Sequence, residues 1–233
     1  MADTPLDIST WRRHYHNEEE PVFLEEKLPT KNPFQLFDIW FKNVASKADL
    51  MFEETNAVCV STVSKDGQPS SRMVLMRSYS HDGFVFHSNY NSRKGRELAE
   101  NGKVALLFFW SRVHRQVRVE GIAEHWTDAE NEAYWNSRPL ANRIGTKSSQ
   151  QSTVIESRQV LLDKKAELEK LAAEEGADAI TRPEYWGGFL VRPHTFEFWQ
   201  GQSDRVHDRL CFTQNPEDAK PAEDGWYLKR LSP

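Results

Sequence analysis

Two rhythms of apolar and polar residues run through the chain, one of period two and one of period between three and four. From Asn56 to Ser64 the residues alternate as in a strand with one covered face, and Lys65-Asp66-Gly67-Gln68 carries the Asp-Gly pair of a tight hairpin turn. The return strand runs from Pro69 to Tyr79, His81-Asp82-Gly83 makes another turn, and Phe84 to His87 forms a further short strand. Val104 to Trp110 and Arg115 to Trp126 make the next pair. In the second of these Val117 and Val119 alternate with Gln116, Arg118 and Glu120, which predicts one buried and one polar face. Gly187 to Arg192, Thr195 to Gln200, Val206 to Thr213 and Trp226 to Leu231 complete the set. Short strands joined by tight turns, with helices inserted, predict a mainly β (α+β) fold built on a closed or nearly closed antiparallel barrel.

The longer rhythm marks the helices. Phe34, Phe37, Trp40, Phe41 and Val44 recur at three-and-four spacing behind Pro33, which suits a first turn, so the pattern predicts a helix from Pro33 to about Ala48. Thr127-Asp128-Ala129-Glu130 is a capping box, opening a helix that carries Tyr134, Trp135 and Arg138 and ends at Pro139. Residues 140–153 are polar and read as a loop. Glu156 to Glu175 reads as a long charged helix with Val160, Leu161, Leu168 and Leu171 as its stripe, stopped by Gly176. Ser92 can cap the amides of Arg93-Lys94-Gly95-Arg96-Glu97-Leu98. Two cations in that first turn oppose the helix dipole, and such a placement is tolerated where an external anion such as phosphate occupies the helix end. Residues 1–32 carry little periodicity. They read as an arm ahead of a single domain at 33–233, with Trp11-Arg12-Arg13-His14-Tyr15-His16 either loosely docked or folded over an anionic site.

Composition narrows the function. The 233 residues include 38% hydrophobic and 12% aromatic side chains, enough for a proper core. A formal charge of −5 argues against general nucleic-acid binding, so any anion site must be a local concentration of Arg and Lys. The longest apolar run, Val104 to Trp110, is too short to cross a bilayer, and the first residues lack the basic start and apolar stretch of a secretory signal. Cys59 and Cys211 lie in apolar, strand-like runs that predict buried thiols, and a reducing cytoplasm fits them best. Dinucleotide and phosphate-loop glycine motifs, a Gly-x-Ser-x-Gly elbow and the spacings of a zinc site are all missing.

What remains is a scatter of Arg, Lys, Ser, Gln and Trp on strands and helix ends, an inventory that suits phosphate and a flat heteroaromatic ring. Its densest stretch is Phe196 to Leu210. If Val206 to Thr213 is extended, Arg205, His207 and Arg209 share one face, either as a solvated basic edge or, beside Trp199 and Gln200, around a flat anionic ligand.

Taken in order, Arg72-Met73-Val74-Leu75, Ser92-Arg93-Lys94-Gly95, Arg115-Gln116-Val117, Ser137-Arg138-Pro139, Gln151-Ser152, Trp186-Gly187-Gly188, Glu197-Phe198-Trp199-Gln200-Gly201, Arg205-Val206-His207-Asp208-Arg209 and the ending Arg230-Leu231-Ser232-Pro233 resemble the pyridoxamine 5′-phosphate oxidase family. The resemblance spans Arg12 to Pro233. It implies an FMN-binding split β-barrel with peripheral helices, working as a homodimer with FMN in clefts between the subunits. It implies oxidation of pyridoxamine or pyridoxine 5′-phosphate to pyridoxal 5′-phosphate, with O2 as acceptor. The FMN contacts it implies are the run Arg72 to Arg77, His87, Ser88, Arg93, Lys94, Gln116, Gln151, Ser152, Trp199 and Arg209. The substrate phosphate would fall to Arg77, Tyr134, Arg138 and Asn142, with Arg205 and His207 flanking the pyridine ring as catalytic residues. Arg12, Arg13, His14 and Tyr15 would close over it. Arg77 stands where the family usually has lysine, Asn142 replaces a serine, and His87-Ser88 replaces an aromatic-threonine pair. A split-barrel flavin- or haem-binding protein without oxidase activity is the alternative from another class. An interaction module built on the 156–175 helix has only that helix in its favour.

Overall fold

The computed structural model describes residues 23–47 and 54–233, and Arg12, Arg13, His14 and Tyr15 lie outside them. The chain divides into two compact units. One holds residues 54–108 and 118–196; the other, among the described residues, holds 23–47, 109–117 and 197–233.

The first unit is the barrel. Its strands are β1 (Ala57–Val63), β2 (Pro69–Ser80), β3 (Gly83–Asn89), β4 (Lys103–Trp110), β5 (Arg115–His125) and β6 (Trp186–Gln200), of which the last three run on into residues of the other unit. They hydrogen-bond in the order β3-β2-β1-β4-β5-β6, and β3 pairs antiparallel with β6 to close a six-stranded barrel. Closure leaves no free edge and aims alternate side chains inward. Val58, Val60, Phe84, Phe86, Leu106, Phe108, Phe189, Val191 and Phe196 are all buried, with Phe84 5.9 Å from Phe108 and from Phe196, ring centre to ring centre. Cys59, expected inside, is only half-buried, because its register partners Met73 and Leu107 share the opposite face from Val58 and Val60. The two strands expected at 187–192 and 195–200 are one strand of 15 residues. Pro193 does not break it: the proline ring is compatible with extended backbone, and opposite it Gly121 has no Cβ to strike the Arg192 carbonyl, which would lie 2.2 Å away.

Four helices belong to this unit: α2 (Arg93–Asn101), α3 (Asp128–Ser137), α4 (Leu140–Lys147) and α5 (Arg158–Glu175). Ser92, Thr127 and Ser157 cap α2, α3 and α5 through their hydroxyls. Helix α4 replaces the loop expected across 140–147. It has no side-chain cap and only Leu140 and Ile144 as an apolar pair, too little periodicity to announce a helix, and tertiary burial supplies the rest. Ile144 packs with Trp135, Leu168, Ile180 and Trp186, and the Trp135 indole donates to the Ile180 carbonyl at 3.0 Å.

In the second unit α1 (Pro33–Ala45) is capped by Asn32, whose Oδ1 accepts from the amides of Phe34 and Gln35. It buries Leu36, Phe37, Trp40 and Val44, and Trp40 meets Phe198 edge-on at 5.3 Å. Strands β7 (Asp208–Thr213), β8 (Lys220–Pro221) and β9 (Tyr227–Arg230) follow the end of β6 in the order β6-β7-β9-β8. Residues 23–32 are docked here: Arg230 bridges Glu25 and Asp208 and donates to the Phe23 carbonyl. Among the described residues no helix is long and apolar enough to cross a membrane.

Candidate functional site

Two cavities of about 300 and 440 Å³ lie in the barrel unit and share Arg77, Arg138, Thr146, Gln151 and Trp186 as a common wall. The smaller adds Arg72, Met73, Val74, Leu75, His87, Ser88, Lys94 and Tyr134; the larger adds Asn89, Asn142 and part of α4. Among the described residues four cationic side chains line them and no carboxylate does, in a chain with 35 acidic residues against 30 Lys and Arg. Such a donor set fits phosphate, and two joined compartments fit two phosphorylated ligands.

The cations arrive from three elements. Helix α2 starts at Arg93 and sets Lys94 inside the smaller cavity, where its Nζ donates to Ser88 Oγ at 2.8 Å and Gln151 Oε1 at 3.1 Å. Burial, and then the Arg72 charge, push the Lys94 ammonium down to about 8. Arg72 comes from β2 and is held by buried Glu97, which also binds the Arg93 guanidinium at 2.8 Å and accepts from Ser70 and Thr62. Burial alone would raise the Glu97 carboxyl, but hydrogen bonds from Thr62, Arg93 and Ser70 outweigh it and hold the group at about 2. The first-turn clash with the helix dipole is therefore divided: Arg93 is neutralised one turn along by Glu97, whereas Lys94 has only neutral acceptors among the described residues.

Arg138 follows α3 at its C-terminal end. Its Nη2 donates to Thr146 Oγ1 at 3.0 Å, its guanidinium lies 4.8 Å above the Trp186 ring, and its buried Nη1 has no hydrogen-bond partner among the described residues. Burial first, and then the charges of Arg77 and Arg143, lower the Arg138 pKa, against an opposing contribution from Tyr134. His87 stacks on Trp186 at 5.0 Å and packs against the tilted Tyr134 ring at 4.1 Å, with Trp126 edge-on at 5.5 Å. Both of its ring nitrogens are buried without a hydrogen-bond partner among the described residues. Burial, with Arg138 and Arg77 nearby, drives its pKa down to about 3, so the imidazole is neutral at physiological pH.

The barrel unit thus brings together Arg72 to Leu75, Arg77, His87, Ser88, Lys94, Tyr134, Arg138, Asn142 and Gln151. Arg93 and Ser152 are joined beside them, the Arg93 amide donating to Ser152 Oγ at 3.1 Å. The other predicted residues that are described belong to the second unit. Gln116 is half-buried on β5, and Arg209 on β7 is tied to buried Glu197 at 2.9 Å. Trp199 on β6 stands 5.1 Å from the His207 ring. The strand expected from Val206 starts only at Asp208, so Arg205 and His207 lie in a loop and do not share a strand face with Arg209. Arg205 adopts φ +68°, Asp204 accepts from the Val206 amide, and His207 Nδ1 accepts from the Gln202 amide. These local bonds satisfy the loop without a sheet partner. Glu97, Thr146 and Asn89 escaped the sequence reading, because a lone acid, threonine or asparagine carries no pattern until the fold sets it beside a cation.

Comparison with known proteins decides the family. The sequence model for pyridoxamine 5′-phosphate oxidase matches residues 45–172, and that for the pyridoxine 5′-phosphate oxidase C-terminal dimerisation region matches residues 186–233. The chain belongs to the pyridoxamine 5′-phosphate oxidase family. Among members of this oxidase family, a Caenorhabditis elegans protein provisionally named pyridoxamine 5′-phosphate oxidase is 56% identical over 233 residues, covering 100% of both chains. The pyridoxine-5′-phosphate oxidase of Bos taurus is 40% identical over 98% of this chain and 88% of its own. The crystal structure of PhzG from Burkholderia lata, in complex with tetrahydrophenazine-1-carboxylic acid, superposes with a TM-score of 0.79 at 30% identity, over 92% of this chain and 98% of that one.

Proposed function

We propose that this chain is an FMN-dependent oxidase of vitamin B6 metabolism. It removes two electrons from the 4′ carbon of pyridoxamine or pyridoxine 5′-phosphate and yields pyridoxal 5′-phosphate; O2 accepts the electrons as H2O2, and the amine substrate also releases ammonia. Besides family membership, one observation carries the reading: two joined cavities lined, among the described residues, by four cations and no acid, in a chain of net charge −5.

Lys94, Ser88 and Gln151, with Arg72 and Arg93 steadied by Glu97, would hold the flavin phosphate. Arg77, Tyr134, Arg138 and Asn142 would hold that of the substrate. Bound FMN supplies the two-electron acceptor. The protein's share is to fix position, because a substrate clamped at its phosphate presents the same carbon on every encounter. Arg205 and His207 then orient the pyridine ring and its phenolic oxygen, and the arm around Arg12 to Tyr15 closes over it. The homodimer reading is supported by the matched dimerisation region, with FMN in clefts between subunits to which Gln116, Trp199 and Arg209 contribute. We place the enzyme in the cytoplasm.

An absorption spectrum of the purified protein, followed by a peroxide assay with pyridoxamine 5′-phosphate, tests this. A flavin spectrum and peroxide formation are expected. A protein that takes up no FMN would sink the reading, and a yellow protein that makes no peroxide would favour the flavin-carrier alternative.

A further inference from the structure

In the second unit, the segment 201–207 carries Arg205 and His207 from the end of β6 to the start of β7. Residues 203–206 are exposed, and water alone could satisfy a turn so placed. Instead the hydrogen bonds of the turn converge on Gln202. The Gln202 carbonyl accepts from the Arg205 amide at 3.2 Å, its own amide donates to His207 Nδ1 at 3.0 Å, and its side-chain Nε2 donates to Asp208 Oδ2 at 2.8 Å. One residue therefore bonds both candidate catalytic residues and the acid that follows them. Asp208 is a firm anchor: it is only 3% exposed, its Oδ1 accepts from Arg230 Nη1 at 2.7 Å, and its Oδ2 also accepts from the Phe23 amide at 3.0 Å. A buried carboxylate shared by several donors, one of them charged, is held strongly, so the Gln202 side chain is tethered to the sheet. On the other flank the Gly201 amide donates to the His114 carbonyl at 2.8 Å. With both flanks anchored the Gln202 amide has a set direction, and a backbone N–H can only donate. His207 Nδ1 is therefore the unprotonated nitrogen, which puts the proton of the neutral imidazole on Nε2.

We propose that Gln202, clamped by Asp208, is a positioning residue of the reaction: it fixes the Arg205 backbone and holds His207 as the Nε2–H tautomer, a donor suited to an oxygen acceptor on the substrate. This rests on the reading of His207 as a residue that orients the pyridine ring and its phenolic oxygen. Gln202 acts only through Arg205 and His207. The gain is orientation, since an imidazole that turns or exchanges tautomers offers its donor in the required direction only part of the time.

The test uses Gln202→Met, which keeps the backbone amide and the side-chain length but removes the bond to Asp208, and Gln202→Glu, which sets a second carboxylate against Asp208. Steady-state kinetics with pyridoxamine 5′-phosphate, FMN affinity and Tm are paired with long-range proton–nitrogen NMR of protein carrying isotope-labelled histidine, in mildly alkaline buffer. The His207 signals are assigned from their loss in His207→Gln. In Gln202→Met kcat should fall about tenfold, the size of one orienting hydrogen bond, with a smaller change in KM and with FMN affinity and Tm near wild type. Gln202→Glu should fall at least as far. Wild-type His207 should show its proton on Nε2, and Gln202→Met should move its signals toward a mixture of tautomers. A wild-type ring protonated on Nδ1, an unchanged kcat or an unchanged tautomer in Gln202→Met, or a kcat loss that only tracks lost flavin or a lowered Tm would overturn the proposal. If wild type makes no peroxide, yet His207 carries its proton on Nε2 and that preference disappears in Gln202→Met, Gln202 still sets the ring and the oxidase reading falls.

Discussion

Replacing His87 by phenylalanine should make the protein less sensitive to acid. The imidazole packs against Tyr134 and Trp186 with both nitrogens buried and, among the described residues, unpartnered, near the cations Arg138 and Arg77, and its pKa falls from 6.5 to about 3. The unfolded chain therefore takes up a proton below pH 6.5 that the folded chain refuses. Stability is unaffected above that value and is lost progressively as pH falls toward about 3. At about pH 5 the difference spans about 1.5 pH units, worth about 2 kcal/mol at 1.36 kcal/mol per unit. Phenylalanine keeps the stacked ring and removes two unsatisfied nitrogens, so the variant should match or exceed wild type near neutrality. Urea unfolding of both proteins at about pH 7.5 and about pH 5 reads the effect. Every other titrating group is common to both, so the stability gap between them should widen by about 2 kcal/mol in favour of the variant. A gap independent of pH would show that His87 titrates normally and that the burial argument is wrong.

Three further outcomes follow from the same geometry. Because Lys94 has a lowered pKa of about 8 and a bound phosphate favours its charged form, FMN affinity should weaken as pH rises above about 8; Lys94→Ala should release the flavin on dialysis, and retained yellow colour would contradict the assignment. Glu97→Ala leaves Arg72 and Arg93 without their buried counterion and should destabilise by about 3–5 kcal/mol in chemical denaturation, whereas a loss under about 1 kcal/mol would mean that solvent replaces the carboxylate freely. Arg205→Ala should cut turnover by more than it weakens FMN binding, and unchanged steady-state kinetics would remove Arg205 from the reaction.

The residues alone determine a good deal of this protein. The alternation in β1, β4 and β5, the Asp-Gly turn at Asp66-Gly67 and the caps Ser92 and Thr127 are local signals, and local signals survive in a string because each depends on neighbours within a few positions. The cations of the cavity were legible for a related reason, since Arg72, Lys94 and Arg138 lie in compact motifs. Tertiary structure decided the rest. Helix α4 forms because Ile144 is buried with Trp135 and Trp186, not because its own sequence asks for it. Arg205 and His207 sit in a loop because Asp204 and Gln202 satisfy its backbone locally. Whether a charge is paired is a fact about space: Glu97 lies 25 residues from Arg72 yet neutralises it. Counterions act through distance and dielectric, and neither quantity exists until the chain has folded.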